Sequence, residues 1–186
     1  LAAPAGHDIM YDDSLCEQGR NFCNKIWNSF RLLKGWEVDE SAAQPESSRL
    51  AVEWFESALG KAMAEMEDLM GKFRISEALM TVYRLFWDEF SSWYLEVIKP
   101  AYGSPIDGAT YKATLGYFDT LLRLLHPFMP FITEELWQHL AERADGESIM
   151  YALLPEVPVV NEKLISGFEH LKEVVAGIRT VRKQKQ

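Results

Sequence analysis

The chain has 186 residues and a net charge of −9 at pH 7, with 48% hydrophobic and 12% aromatic residues. This length and apolar content predict one domain with a hydrophobic core, and they exclude an intrinsically disordered chain. No run of about 18 uninterrupted apolar residues is present, so no membrane span is predicted. The N-terminus lacks a signal peptide and an initiator Met, and the C-terminus lies within a basic helical pattern, which together indicate a fragment of a longer polypeptide.

The two cysteines, Cys16 and Cys23, lie seven residues apart on one predicted helix. At 1.5 Å per residue, their Cα atoms are expected to be roughly 10 Å apart, which is too far for a disulfide. They also lack the C-x-x-C spacing of a zinc site. We therefore expect two buried free thiols in a reducing, cytoplasmic environment.

The hydrophobic periodicity predicts an all-α fold, an antiparallel bundle of about six helices joined by short connections. Residues 1–12 are expected to be a connector. Gly35 ends the first helix, Pro100 prevents the third from continuing, and Ser76 is a candidate cap for the third. The six helices are predicted at residues 14–34, 47–71, 77–99, 109–126, 131–143 and 161–182.

The first helix has two contrasting faces. Its apolar positions recur at three- and four-residue spacing and predict a buried side, formed by Phe22, Cys23, Ile26, Trp27, Phe30 and Leu33. The opposite face, which we call the polar stripe, consists of Arg20, Asn21, Asn24, Lys25, Asn28 and Arg31.

The composition of the polar stripe is unusual for a solvated helix, because Asn is a poor helix former. Asn can donate to and accept from a nucleobase edge, whereas Arg and Lys bind phosphates. Between Gln18 and Trp36 there are four cations and no acid, although the whole chain is acidic. The polar stripe is thus a candidate RNA-binding surface, with phosphates held by its cations and bases read by its amides. The alternative is a polar face that packs on a neighbouring domain.

Other candidate sites have simpler interpretations. The aromatic residues between Tyr83 and Tyr94 could stack nucleobases, but their helical spacing favours the core. Phe30 and Trp36 are weaker candidates for base stacking and could equally be core. His126 lies between prolines without a nucleophile signature, so an architectural role for residues 125–138 is favoured. No metal site and no catalytic residue is assigned, since Glu65, Glu67 and Asp68 are expected on a solvated face.

The C-terminal tail is basic and has two open interpretations. It contains four cations and no acid, namely Arg179, Arg182, Lys183 and Lys185. The tail could lie over an RNA backbone, or it could be the solvated end of a helix whose cations complement the helix dipole.

Three segments resemble the anticodon-binding domains of the class I aminoacyl-tRNA synthetases for valine, isoleucine and leucine. They are G-R-N-F-C-N-K-I-W-N at residues 19–28, F-W-D-E-F-S-S-W-Y-L-E-V-I-K-P at 86–100 and L-H-P-F-M-P-F-I-T-E-E-L-W-Q at 125–138. The similarity extends over essentially the whole chain. The last two segments are shared by the group, while the first, with A-P-A-G-H-D at residues 3–8, points to the valine enzymes.

The resemblance implies a domain that binds the anticodon stem-loop of tRNA(Val) and contributes tRNA recognition rather than catalysis. By the same resemblance, the intact enzyme uses ATP and Mg²⁺ to charge tRNA with valine in a catalytic domain of the same polypeptide. Residues 1–12 would then connect to that domain, residues 13–158 form the bundle, and residues 159–186 lead to a further C-terminal segment. The alternatives are the same domain of an isoleucine or leucine enzyme, and a helical scaffold that docks a protein.

Overall fold

The fold was obtained as a computed structural model, which describes residues 12–184. The elements in chain order are α1 (Asp13–Lys34), β1 (Val38–Asp39), α2 (Glu46–Gly71), α3 (Ile75–Arg84), a π-helix (Leu85–Tyr94), α4 (Leu95–Ile98), β2 (Ile106–Asp107), α5 (Gly108–Leu125), α6 (Pro130–Leu140), a 3₁₀ turn (Ile149–Tyr151) and α7 (Glu162–Gln184). Because α3, the π-helix and α4 follow one another without a break, these elements form six long helical rods. The prediction of an all-α bundle with about six helices is confirmed.

The predicted helix ends lie within three residues of the observed ones, with two differences in detail. The third helix begins at Ile75, so Ser76 lies inside it and is not the cap that was predicted; the cap position is Arg74, whose side chain makes no capping hydrogen bond. The fifth rod, α6, ends at Leu140 rather than at residue 143, and its Thr133 is fully buried.

The long first helix is defined by a signal at each end. The Asp12 carboxylate accepts a hydrogen bond from the backbone N–H of Ser14 at 2.8 Å, which satisfies one of the free donors of the first turn. At the other end, the backbone N–H of Gly35 donates to carbonyls of the last turn. Residues 1–11 of the predicted connector lie outside the described residues.

Aromatic side chains fill the centre of the bundle. Phe86, Phe90 and Tyr94 recur every four residues along the π-helix, which has more residues per turn than an α-helix and so keeps this spacing on one face. All three are completely buried. The Tyr94 hydroxyl lies 2.7 Å from the Thr114 hydroxyl of α5, so its polar end has a partner. The predicted core role of this cluster is thereby confirmed for its central members.

A two-residue parallel bridge, which periodicity did not predict, fixes the loop after α1. Val38 pairs with Ile106, and the N–H of Ile106 donates to the Glu37 carbonyl at 2.8 Å. The next residue, Asp107, is buried and accepts a hydrogen bond from the N–H of Thr110 at 2.8 Å. The bridge therefore connects the end of α1 to the capped start of α5.

His126 makes a structural contact in the turn between α5 and α6. The Nδ1 atom of His126 lies 2.8 Å from the Thr133 hydroxyl, which also donates to the Met129 carbonyl. Pro130 occupies the first position of α6, where a missing N–H costs nothing. Trp137 packs beneath and is buried, as expected from the architectural interpretation of this segment.

The C-terminal part of the chain returns across α2 and ends in a loosely packed helix. A Cβ atom on Gly60 would lie 2.5 Å from the Pro158 carbonyl oxygen, so the strand-like segment before α7 can approach α2 this closely only because residue 60 is glycine. Phe168 is the one buried residue of α7, and its ring stacks on Trp54 at a centroid distance of 3.9 Å. The remaining apolar positions of α7 are half-buried or exposed.

The cysteine prediction was half right. Both thiols are free, as predicted, but Cys16 is exposed and Cys23 is only half-buried, so the expectation of buried thiols was wrong. The reason is that residues 12–21 of α1 are all exposed and extend past the packed part of the bundle. Within residues 12–184, no helix is long and apolar enough to cross a membrane.

The carboxylate of Glu134 should make stability sensitive to acid. It accepts hydrogen bonds from Gln138 at 2.8 Å and from Ser148 at 2.6 Å, which join α6 to the loop that follows it. Desolvation alone would raise the pKa of Glu134, but these hydrogen bonds outweigh it and hold the pKa below its ordinary value of 4.5. Their contribution is therefore complete above pH 4.5 and is lost as the pH falls through the folded-state pKa.

We expect Glu134→Gln to remove this acid sensitivity at a cost of about 1 kcal/mol near neutral pH. The free energy of unfolding, measured by urea titration between pH 3 and pH 7, should differ between the two proteins at neutral pH and converge in acid. A difference that stays constant across this range would contradict the assignment.

Candidate nucleic-acid interface

The polar stripe of α1 faces solvent. Five of its six residues are exposed, while Phe22, Ile26 and Leu33 on the opposite side are buried at 4% exposure or less. The predicted division of this helix into a packed face and an outward polar face is therefore present. The exposed members are Arg20, Asn21, Asn24, Asn28 and Arg31.

These five side chains have no internal partners among the described residues. None of them makes a hydrogen bond or an ion pair with any residue from 12 to 184. Several exposed cations elsewhere are paired with acids: Lys72 lies 2.6 Å from Asp68, and Arg49 lies 2.6 Å from Glu46. The amide and guanidinium groups of the polar stripe thus keep their hydrogen-bonding capacity for an external ligand.

Lys25, the sixth member of the polar stripe, is half-buried and held by an aromatic ring. Its Nζ atom lies 4.9 Å from the ring centroid of Trp87, whose other neighbour is the stacked ring of Tyr83 at 5.6 Å. A cation over an aromatic face is stabilised without being neutralised. By contrast, Lys172 also lies over a tryptophan but is paired with Glu89 and Glu169. The positive charge of Lys25 therefore remains available at one edge of the polar stripe.

Trp27 is a residue whose position the sequence interpretation got wrong. It was predicted to be part of the buried face, but 41% of its surface is exposed. At 100° per residue, Trp27 lies at the margin of the packed face, on the same side as Asn24 and Arg31. This angular position could have predicted the exposure, because Ile26 lies at the centre of the buried face and Trp27 is rotated by about 100° from it.

The other aromatic candidates pack against the core. The ring of Phe30 lies 6.2 Å from that of the buried Phe118, and Trp36 is half-buried against the same cluster. Tyr83 and Trp87 lie at the surface of that cluster, next to Phe22 of α1. Phe30 and Trp36 are both partly covered by the core, which favours the core interpretation over base stacking.

The basic tail of α7 is only partly placed. The guanidinium carbon of Arg179 lies 5.6 Å from the ring centroid of Trp93, and both Arg182 and Lys183 are exposed. Lys185 lies outside the described residues. Both interpretations of the tail remain open on these contacts, because a cation over a ring at a helix end fits either of them.

A groove elsewhere on the bundle has a different character. It lies between α2, the rod of α3 and the π-helix, and α7, away from the polar stripe. Its charged lining mixes two cations with three acids, namely Lys61, Arg84, Glu65, Glu89 and Glu169. Such a mixture does not favour a polyanion, so the polar stripe is the better candidate for binding nucleic acid.

Comparison with protein families gives a match over most of the chain. Residues 52–186 match the family described as the anticodon-binding domain of tRNA ligases. The match begins within α2, so it includes most of α2 and all later helices but not the polar stripe of α1.

Curated relatives match the whole chain, α1 included. The chain is 68% identical to the valine–tRNA ligase of Phocaeicola vulgatus and 64% identical to that of Parabacteroides distasonis, in both cases over 100% of this chain. It is 38% identical to the valine–tRNA ligase of Pseudothermotoga lettingae over 98% of this chain. In each case the chain spans only 21% of the relative's length. From the family match and these relatives, we conclude that the chain belongs to the anticodon-binding domain family of the tRNA ligases.

Proposed function

We propose that this chain binds the anticodon stem-loop of tRNA(Val), as the anticodon-binding domain of a cytoplasmic valine–tRNA ligase. The observation that carries the proposal is the polar stripe, an outward row of amides and cations in which the five exposed side chains make no hydrogen bond or ion pair within residues 12–184. Valine–tRNA ligases are the relatives that match the chain from end to end, including this helix.

The residue types of the polar stripe suit an unpaired RNA loop. Bases in such a loop are splayed out, so their hydrogen-bonding edges are accessible to side chains. Asn21, Asn24 and Asn28 would read base edges, because an amide offers a donor and an acceptor side by side. Arg20, Lys25 and Arg31 would contact phosphates and set the register of the RNA on the helix.

The reaction of the whole enzyme would be completed elsewhere in the polypeptide. Within residues 12–184, no group of three or more His, Cys, Asp or Glu side chains could hold a metal ion. The sequence also contains no G-x-x-x-x-G-K-S/T phosphate loop. Because the relatives that match the chain are valine–tRNA ligases, we assign ATP and Mg²⁺ to the catalytic domain of the same polypeptide. This domain would contribute binding energy and orientation to the charging of tRNA with valine.

A direct titration tests the proposal. The binding of a fluorescent RNA hairpin that carries the valine anticodon is measured by anisotropy, and then repeated with the middle anticodon base changed and with the salt concentration raised. We expect both changes to weaken binding, the first through lost base contacts and the second through counterion release. A helical scaffold for proteins would show no dependence on the anticodon, and an isoleucine or leucine domain would prefer its own anticodon.

Single substitutions in the polar stripe should separate its two roles. Asn24→Ala and Asn28→Ala should each lower the preference for the valine anticodon by about 1–3 kcal/mol, since each removes a base contact. Arg31→Ala should weaken all hairpins alike and reduce the slope of log Kd against log salt by about 0.7. Equal losses on every hairpin for the Asn variants would contradict their role in base reading.

A further inference from the structure

Trp27 is the most exposed tryptophan of the molecule and lies beside the polar stripe. All six tryptophans fall within the described residues, and Trp27 alone among them is exposed. The other five are buried or half-buried, and they include Trp36, which packs against the core. The exposure of this large indole needs a physical explanation, because aromatic side chains stabilise a fold mainly when they are buried.

The faces of the Trp27 ring are not covered by another ring or a cation among residues 12–184. Its nearest aromatic neighbour is Phe30, at a centroid distance of 6.4 Å and a tilt of 51°, which is not a stacked arrangement. Trp54, Trp87, Trp93 and Trp137, by contrast, each have a cation close to the ring. The indole of Trp27 is thus 41% exposed and has neither a stacked ring nor a cation as a partner among these residues.

The surroundings of Trp27 favour an anionic, planar ligand. Asn24 lies three residues before it and Arg31 four residues after it, so both flank the indole on the same side of the helix. Neither of these two side chains makes a hydrogen bond or an ion pair within residues 12–184. A flat apolar surface could stack on the face of a base, while the neighbouring cation binds its phosphate and the neighbouring amide binds the edge of the base.

We propose that Trp27 stacks on one unpaired base of the RNA loop, and so positions that nucleotide for Asn24 and Arg31. This inference rests on the proposed function, since it names a further residue of the same RNA-binding surface. Stacking on an aromatic side chain is tolerant of base identity, so Trp27 would add affinity while the neighbouring amides supply specificity.

The test combines variants of Trp27 with RNA hairpins that lack single loop bases. Trp27→Ala should weaken binding of the intact hairpin about tenfold, and Trp27→Phe should keep most of the affinity because it keeps a ring. On the hairpin that lacks the stacked base, the wild type and Trp27→Ala should bind equally. A loss that is the same on every hairpin would overturn the proposal, as would full binding by Trp27→Ala.

The matched control is Leu15→Ala on the same helix. Leu15 has a similar exposure, 47%, but lies about 18 Å from Trp27 along the helix axis. We expect no change in RNA binding for this variant and unchanged thermal unfolding for all three. If the wild type distinguishes the valine anticodon but Trp27→Ala binds normally, the stacking inference fails and the proposed function stands. If the wild type shows no preference among anticodons, the proposed function fails and the stacking inference fails with it.

Discussion

Replacing the three cations of the polar stripe together should reduce RNA binding at least about a hundredfold at low salt. Each of Arg20, Lys25 and Arg31 can make a charge-assisted hydrogen bond to a phosphate, and such contacts contribute about 1.5–3 kcal/mol each. Glutamine is polar, uncharged and similar to Arg and Lys in helical preference, so the triple variant with Gln at these positions changes mainly charge. The slope of log Kd against log salt should also fall by about 2, since three phosphate contacts are lost.

A control variant separates this local effect from net charge. Arg49 and Lys61 of α2 and Lys72 at its C-terminal cap are exposed cations, and each is already paired with an acid. Their replacement by Gln changes the net charge by the same three units, from −9 to −12. Because exposed charges farther away than about 10 Å are screened at 0.1 M salt, this variant should lose only a few-fold in affinity. Equal losses in both variants would mean that the polar stripe is not the binding surface.

The division of α1 into two faces could be predicted because it depends on local rules. Helical periodicity placed Ile26 and Leu33 inside and Asn24 and Asn28 outside, and the structure agrees on all four. The C-terminal end of the helix was predicted from Gly35 in the same way. Such features need only the neighbouring residues of the chain and no knowledge of what packs against them.

The errors arose where burial depends on a partner that the sequence pattern does not specify. Trp27 is apolar and was assigned to the core, but no other element reaches over this margin of α1, so the ring is exposed. Cys16 is exposed because the first turns of α1 extend past the bundle. The roles of the individual polar-stripe residues toward RNA remain predictions, since they depend on a ligand and not on the fold.

Two features of the backbone were also beyond the reach of periodicity. A spacing of four residues, as in Phe86, Phe90 and Tyr94, fits an α-helix and a π-helix equally well, so the sequence could not distinguish them. The bridge between Val38 and Ile106 involves two residues on each side, which is too short to show an alternating pattern. Both depend on how distant rods pack together.

Phe168→Ala should release α7 from the bundle. The phenylalanine ring stacks on Trp54 with an interplanar angle of 8°, and it is the one residue of α7 that is buried. Truncation of a buried Phe costs about 3–5 kcal/mol, and the half-exposed apolar positions of α7 cannot compensate for that loss. We expect amide hydrogen exchange in α7 to accelerate by more than a hundredfold, while the amides of α2 and the π-helix remain protected.

Leu171→Ala, one turn further along α7, is the matched control. Its side chain is 47% exposed, so its truncation should change stability by about 0.5 kcal/mol and leave the exchange in α7 nearly unchanged. If Phe168→Ala instead accelerated exchange equally in all helices, α7 would be part of one cooperative unit and its attachment would not rest on this contact.

The same variant decides between the two interpretations of the basic tail. Release of α7 would also release Arg179 from its position over Trp93, and it would leave Arg182 and Lys183 without a fixed location. If the tail lies over the RNA backbone, Phe168→Ala should weaken hairpin binding and lower its salt dependence. If the tail is only the solvated end of a helix, binding should stay at the wild-type level, because the polar stripe of α1 would be intact.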